Sequence, residues 1–77
     1  RTVKAITGQQ IPSVIGREDY VRVRLTPQDN GMPPLATPVY GKSGLLNPLV
    51  RADGLLPIGR DVEGLDKGVM SPVLLFP

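Results

Sequence analysis

The densest chemistry in this 77-residue chain lies in residues 41–54, which run Gly, Lys, Ser, Gly, Leu, Leu, Asn, Pro, Leu, Val, Arg, Ala, Asp, Gly. The glycine-flanked pair Lys42 and Ser43 offers backbone amides, a hydroxyl and an ammonium to an oxyanion. The same residues also make an ordinary hairpin turn with a solvated lysine. A nucleotide-binding phosphate loop is excluded, because it needs a glycine five residues before Gly41, where Ala36 stands, and a long helix afterwards. Further on, Arg51 and Asp53 flank Ala52. A cation there complements a helix C-terminus and an aspartate holds a turn, so structural roles suffice for both.

The second concentration of charge surrounds residues 17–24. From Tyr20 to Leu25, Val21, Val23 and Leu25 alternate with Arg22 and Arg24. This period of two turns the apolar side chains to a core and both arginines to the opposite face. Arg17 and Arg22 are planar forks suited to an anionic ligand. Arg17 can equally face Glu18 or Asp19 in water, where a pair contributes little. There is no histidine or cysteine, and the carboxylates are scattered singly among turns, so the chain carries no catalytic constellation of its own.

Nine glycines and nine prolines spread along the sequence imply short elements punctuated by turns. The fold class read from this is all-β: a small irregular β-barrel with one short helical turn. Strands are predicted over residues 2–9, 20–25, 35–40, 55–58 and 68–76. Asn30 and Gly31 tolerate the positive φ of a tight return, so the second and third strands are antiparallel neighbours. Pro38, Pro57 and Pro72 cannot donate to a ladder, which makes their strands short, bulged or peripheral. Leu45 with Leu49 and Leu46 with Val50 fall at i and i+4 and suit a helical turn that plugs one barrel end. Asn47 and Pro48 suit its start and Gly54 the left-handed residue past its end.

A chain of this length forms one small domain, residues 1–77, and buries only about 60% of its unfolded surface. Neither disulfide nor structural zinc reinforces it. The start at Arg1 in a strand-like run points to a domain excised from a longer protein. Absence of cysteine fits a reducing, cytoplasmic setting, and no apolar stretch reaches the roughly 20 residues of a membrane span. A net charge of +2, with only Tyr20, Tyr40 and Phe76 to stack on bases, disfavours nucleic acid.

Two ordered blocks carry a resemblance: Pro12, Ser13, Gly16, Arg17, Glu18, Asp19, Tyr20 and Arg22, then Gly41, Lys42, Ser43 and Gly44 with Arg51, Ala52, Asp53, Gly54 and Leu55. Their order and spacing resemble the C-terminal domain (domain IV) of the molybdopterin molybdenumtransferases, the MoeA and gephyrin family. The resemblance covers residues 3–75. It implies a barrel at the end of a homodimeric, multidomain enzyme that uses magnesium to insert molybdate into adenylyl-molybdopterin, releasing molybdenum cofactor and AMP. The implied cleft lies between the catalytic domain of one subunit and the barrel of the other. By the same resemblance Arg22 and Ser43 face that cleft, with Lys42, Gly44 and Arg17 close by, and the isolated domain is inactive. Asn47 and Pro48 depart from the small hydroxyl residues commoner there, which touches the length of the helical turn. The rival reading is a non-catalytic assembly module that binds a peptide or partner domain by strand addition at an unpaired edge.

Overall fold

The computed structural model describes residues 1–40 and 51–77. They form seven strands: β1 (Thr2–Thr7), β2 (Ile11–Pro12), β3 (Asp19–Thr26), β4 (Leu35–Pro38), β5 (Gly54–Ile58), β6 (Gly64–Leu65) and β7 (Met70–Leu75). Five close into a barrel in the order β1, β4, β3, β5, β7, with β7 returning to β1. The β1–β4 pairing is parallel and the rest are antiparallel. The five predicted strands are all present. The predicted helical turn falls mostly in residues 41–50, outside the described residues; the described chain is all strand, turn and loop.

Period-two patterning fills the barrel. Ala5, Val23, Ala36, Leu56, Ile58 and Val73 are buried with Ile11, and Val3, Val21, Leu25 and Leu65 pack against them. Small and branched side chains suit so narrow an interior. The three aromatics stand outside it: Tyr20, Tyr40 and Phe76 are 57%, 55% and 44% exposed.

The connection from β3 to β4 follows the turn chemistry of the sequence. Asn30 and Gly31 have φ of 62° and 72°, and the Met32 amide donates to the Asp29 carbonyl at 3.2 Å. Positive φ at both central residues is the primed turn that matches strand twist. The Gln28 amide group donates to the Pro33 carbonyl at 2.7 Å and braces the same loop.

Prolines mark where ladders stop. β5 and β7 pair only at Gly54 with Leu75 and at Leu55 with Leu74. Two residues further along this register Pro57 would meet Pro72, and neither has an N–H to give. The seam between β5 and β7 therefore opens beyond Leu55, while Pro57 still pairs with Tyr20 on β3 and Pro72 with Lys4 on β1.

The ribbon of β2 with β6 was not legible in the sequence. Ile11 faces Leu65 and Pro12 faces Gly64, and the Ser13 amide extends the pairing to the Glu63 carbonyl at 2.8 Å. Gly64 has a φ of 137°, and a Cβ there would sit 2.3 Å from the Ile11 carbonyl oxygen. Thr7 ties the far end together, its hydroxyl donating to the Asp66 carbonyl at 2.5 Å and accepting from the Val69 amide at 2.9 Å.

Gly54 is a correction to the sequence reading. It is a buried strand residue with no positive φ, paired with Val23 and Leu75, rather than a left-handed helix terminator. A Cβ at Gly54 would lie 2.4 Å from the Leu74 carbonyl oxygen and 2.9 Å from a Val73 methyl. Glycine is required there by the close approach of β5 to β7. Gly54→Ala is expected to destabilise the fold by about 1–3 kcal/mol through forced backbone separation. Gly59→Ala, where a Cβ meets nothing within 4 Å, should stay within about 0.5 kcal/mol of the parent. Urea denaturation of both variants checks the contrast.

Candidate functional site

β3 is the strand on which the predicted site rests, and it has barrel neighbours on both sides. It pairs with β5 over Asp19 to Val23 and with β4 over Val23 to Thr26. Alternation places Val23 wholly inside and leaves Tyr20, Arg22 and Arg24 exposed. Arg22 lies opposite Leu55, which lies opposite Leu74, which lies opposite Thr2, so one row of the outer wall crosses four strands. Its backbone carbonyl accepts from the Val39 amide at 2.8 Å. The Arg22 backbone is thus fixed within the barrel wall and its guanidinium projects from it.

Where β5 leaves β3, Asp53 takes over. Its backbone amide donates to the Val23 carbonyl at 2.7 Å, and its carboxylate accepts from the Leu25 amide, also at 2.7 Å. Its carbonyl accepts from the Phe76 amide at 3.0 Å. The aspartate stands in for a missing strand, the structural role that the sequence allowed. A shallow depression beside it is lined by Arg51, Ala52, Asp53, Phe76 and Pro77 and does not include Arg22.

Arg17 lies in the loop before β3 and is engaged. Its Nε is 3.2 Å from Asp19 Oδ1, and the Ser13 hydroxyl donates to Asp19 Oδ2. The Gly16 amide donates to the Arg60 carbonyl at 2.7 Å and fixes this loop against the turn after β5. That donation from Ser13, aided by the Arg17 guanidinium, holds the Asp19 carboxyl below its ordinary value, while desolvation opposes the shift. Among the described residues, this is the one ion pair, so Arg22 and Arg24 have no carboxylate partner there. The structure therefore separates the two arginines that the sequence offered together: Arg22 projects from a strand, and Arg17 is tied to its own loop. Ser43, Lys42 and Gly44 lie outside the described residues.

Among the described residues, no three histidine, cysteine, aspartate or glutamate side chains gather. No helix among them is long and apolar enough to cross a membrane. Strand addition of a peptide needs an unpaired sheet edge: the barrel strands each have a neighbour on both sides, the β5–β7 seam opens beyond Leu55, and β2 and β6 pair only with each other.

A closed five-stranded barrel whose β3 turns its arginines outward, flanked by a two-stranded ribbon, places the chain among the small β-barrel domains. Residues 4–76 match the model of the MoeA C-terminal region (domain IV), and the chain belongs to that family. Among solved structures it is similar to the molybdopterin biosynthesis moeA protein of Pyrococcus horikoshii OT3, at 31% identity and a TM-score of 0.73 over 99% of this chain and 18% of that one. It is also similar to a molybdenum cofactor biosynthesis protein of Pyrococcus furiosus, at 28% identity and a TM-score of 0.73 over 99% of this chain and 25% of that one. The chain thus spans about a fifth to a quarter of these relatives. No curated protein matches it.

The depressed pKa of Asp19 has a signed consequence. A carboxyl lowered on folding stabilises the folded state above its unfolded pKa of about 3.9, and that contribution is lost as pH falls through the lower folded value. Asp19→Asn is therefore expected to unfold at lower urea than the parent from pH 5 to 7, with the two midpoints converging as pH falls below about 4. Urea titrations across that range measure the convergence.

Proposed function

We propose that this chain is the C-terminal barrel of a molybdopterin molybdenumtransferase and forms one wall of a cleft completed by the catalytic domain of the other subunit in a homodimer. The whole protein inserts molybdate into adenylyl-molybdopterin and releases molybdenum cofactor and AMP in the cytoplasm. The barrel supplies anion contacts and has no activity alone. Arg22 contacts a phosphate or molybdate oxyanion, the Ser43 hydroxyl donates to it, and Lys42 with the Gly44 amide adds positive potential. Arg17 acts at longer range because Asp19 already engages it. Magnesium is assigned to the catalytic domain, as the family resemblance implies.

The observation that carries this reading is the exposed Arg22 without a carboxylate partner among the described residues, presented by a strand held on both sides. An arginine whose backbone is so fixed and whose fork is open suits oxyanion recognition. Membership of the MoeA C-terminal family supports the chemistry assigned to it.

The test is molybdate-dependent cofactor formation by the full-length protein carrying Arg22→Ala, Ser43→Ala or the exposed control Arg60→Ala, each shown to fold and dimerise. Arg22→Ala is expected to lose about 10-fold or more, the scale of a lost charge-assisted contact of about 1.5–3 kcal/mol. Ser43→Ala should lose less and Arg60→Ala should retain activity. Parent-level turnover in the first two variants overturns the reading.

A further inference from the structure

Three exposed apolar side chains gather where the β2–β6 ribbon runs out into its turns. Ile11 faces Leu65 and Pro12 faces Gly64, and the same register continues through the Ser13 amide, which donates to the Glu63 carbonyl at 2.8 Å, to the Gly16 amide, which donates to the Arg60 carbonyl at 2.7 Å. Between those two bonds this register sets Val14 opposite Val62, with Ile15 next along the chain. Val14, Ile15 and Val62 are 59%, 56% and 39% exposed. Their backbone is held in place: Gly16 takes a φ of 95°, the Val62 amide donates to the Gly59 carbonyl at 3.2 Å, and Asp19 is engaged by Ser13 and Arg17. The ribbon already reaches the core through Ile11 and Leu65, and polar residues would serve its turns at least as well. Apolar side chains scattered singly on a surface are ordinary, whereas contiguous ones with a polar rim mark an interaction surface.

The rim selects the partner. Residues 17–19 and 60–63 carry two arginines against four carboxylates, in a chain whose net charge is +2. Arg17 is taken up by Asp19, which leaves Arg60 against the exposed Glu18, Asp61 and Glu63. Such a rim repels an anionic lipid surface and a nucleic-acid backbone. A second copy meeting this patch by twofold symmetry would set like charges face to face. Charge complementarity therefore calls for a cationic protein partner. We propose that Val14, Ile15 and Val62 form a docking knob for a short cationic segment, whose apolar side chains cover the three and whose lysines or arginines meet Glu18, Asp61 and Glu63. A patch of this size belongs to the weak, exchangeable class of interface. The knob stands independently of the proposed function, because none of its three apolar residues is assigned an anion contact.

The experiment uses the full-length protein and three short synthetic peptides, alternating lysine with leucine, lysine with serine, and glutamate with leucine. Calorimetry measures affinity, and hydrogen exchange locates the contact. The lysine–leucine peptide is expected to bind and to slow exchange within residues 13–18 and 59–63, and the other two to bind at least about 10-fold more weakly. Val14→Ser combined with Val62→Ser should weaken the lysine–leucine peptide by about 10-fold or more, the scale of leaving a buried valine uncovered. Ile15→Ser tests the same contact at a separate position, and an unchanged urea midpoint shows that each variant keeps the fold. Asp61→Asn combined with Glu63→Gln should weaken the same peptide and reduce its dependence on salt. No binding of the lysine–leucine peptide overturns the inference, as does protection confined to other residues. Equal binding of the lysine–serine peptide shows a contact of charge alone and equal binding of the glutamate–leucine peptide one of apolar surface alone, and either result overturns it. Parent-level affinity in both folded serine variants overturns it as well.

Discussion

The junction at Asp53 is the constraint on which the outer face of this barrel depends. β3 is the longest strand, and its two partners overlap it only in part: β5 pairs with its first half and β4 with its second. At the handover, the Leu25 amide would lose a ladder partner. The Asp53 carboxylate supplies an acceptor, while the Asp53 backbone bonds Val23 on one side and Phe76 on the other. An amide bonded to a carboxylate is a stronger contact than one bonded to a neutral carbonyl. One residue thus joins β3, β5 and the end of β7 beside the stretch where Arg22 and Arg24 leave the surface of β3.

The rest of the wall follows from which residues lack a Cβ or an N–H. Gly54 lets β5 approach β7 closely at that same junction, and the coincidence of Pro57 with Pro72 ends their pairing two residues later. Gly64 lets β6 lie against Ile11, and Thr7 knits β1 to the turn before β7. These devices close the barrel without a long ladder or a large core. The interior is filled by aliphatic side chains, leaving every aromatic ring and the arginines of β3 outside. The polar side chains of β3 are accordingly on the wall, with the interior left to aliphatic packing.

Much of this was legible in the sequence because it was written in strong local signals. Alternation from Tyr20 to Leu25 gave both the strand and the side from which Arg22 projects, and Asn30 with Gly31 gave the turn. What was not legible depends on contacts distant in sequence. Ile11 and Pro12 form a strand only because Glu63, Gly64 and Leu65 come to lie beside them, and two-residue strands have no periodicity to read. Gly54 looked like a helix terminator because glycine serves both helix ends and close strand approach, and only the position of Leu74 decides between them. Arg17 and Arg22 were equivalent by residue type; the Ser13 and Asp19 loop separates them by engaging one.

The measurement that bears most directly on this account is a crystal structure of the full-length protein with molybdate and adenosine 5′-monophosphate bound. The account predicts an oxyanion about 2.7–3.2 Å from the Arg22 guanidinium on the outer face of β3. Ordered ligands elsewhere, with Arg22 directed into solvent or paired to a carboxylate of another domain, would contradict it.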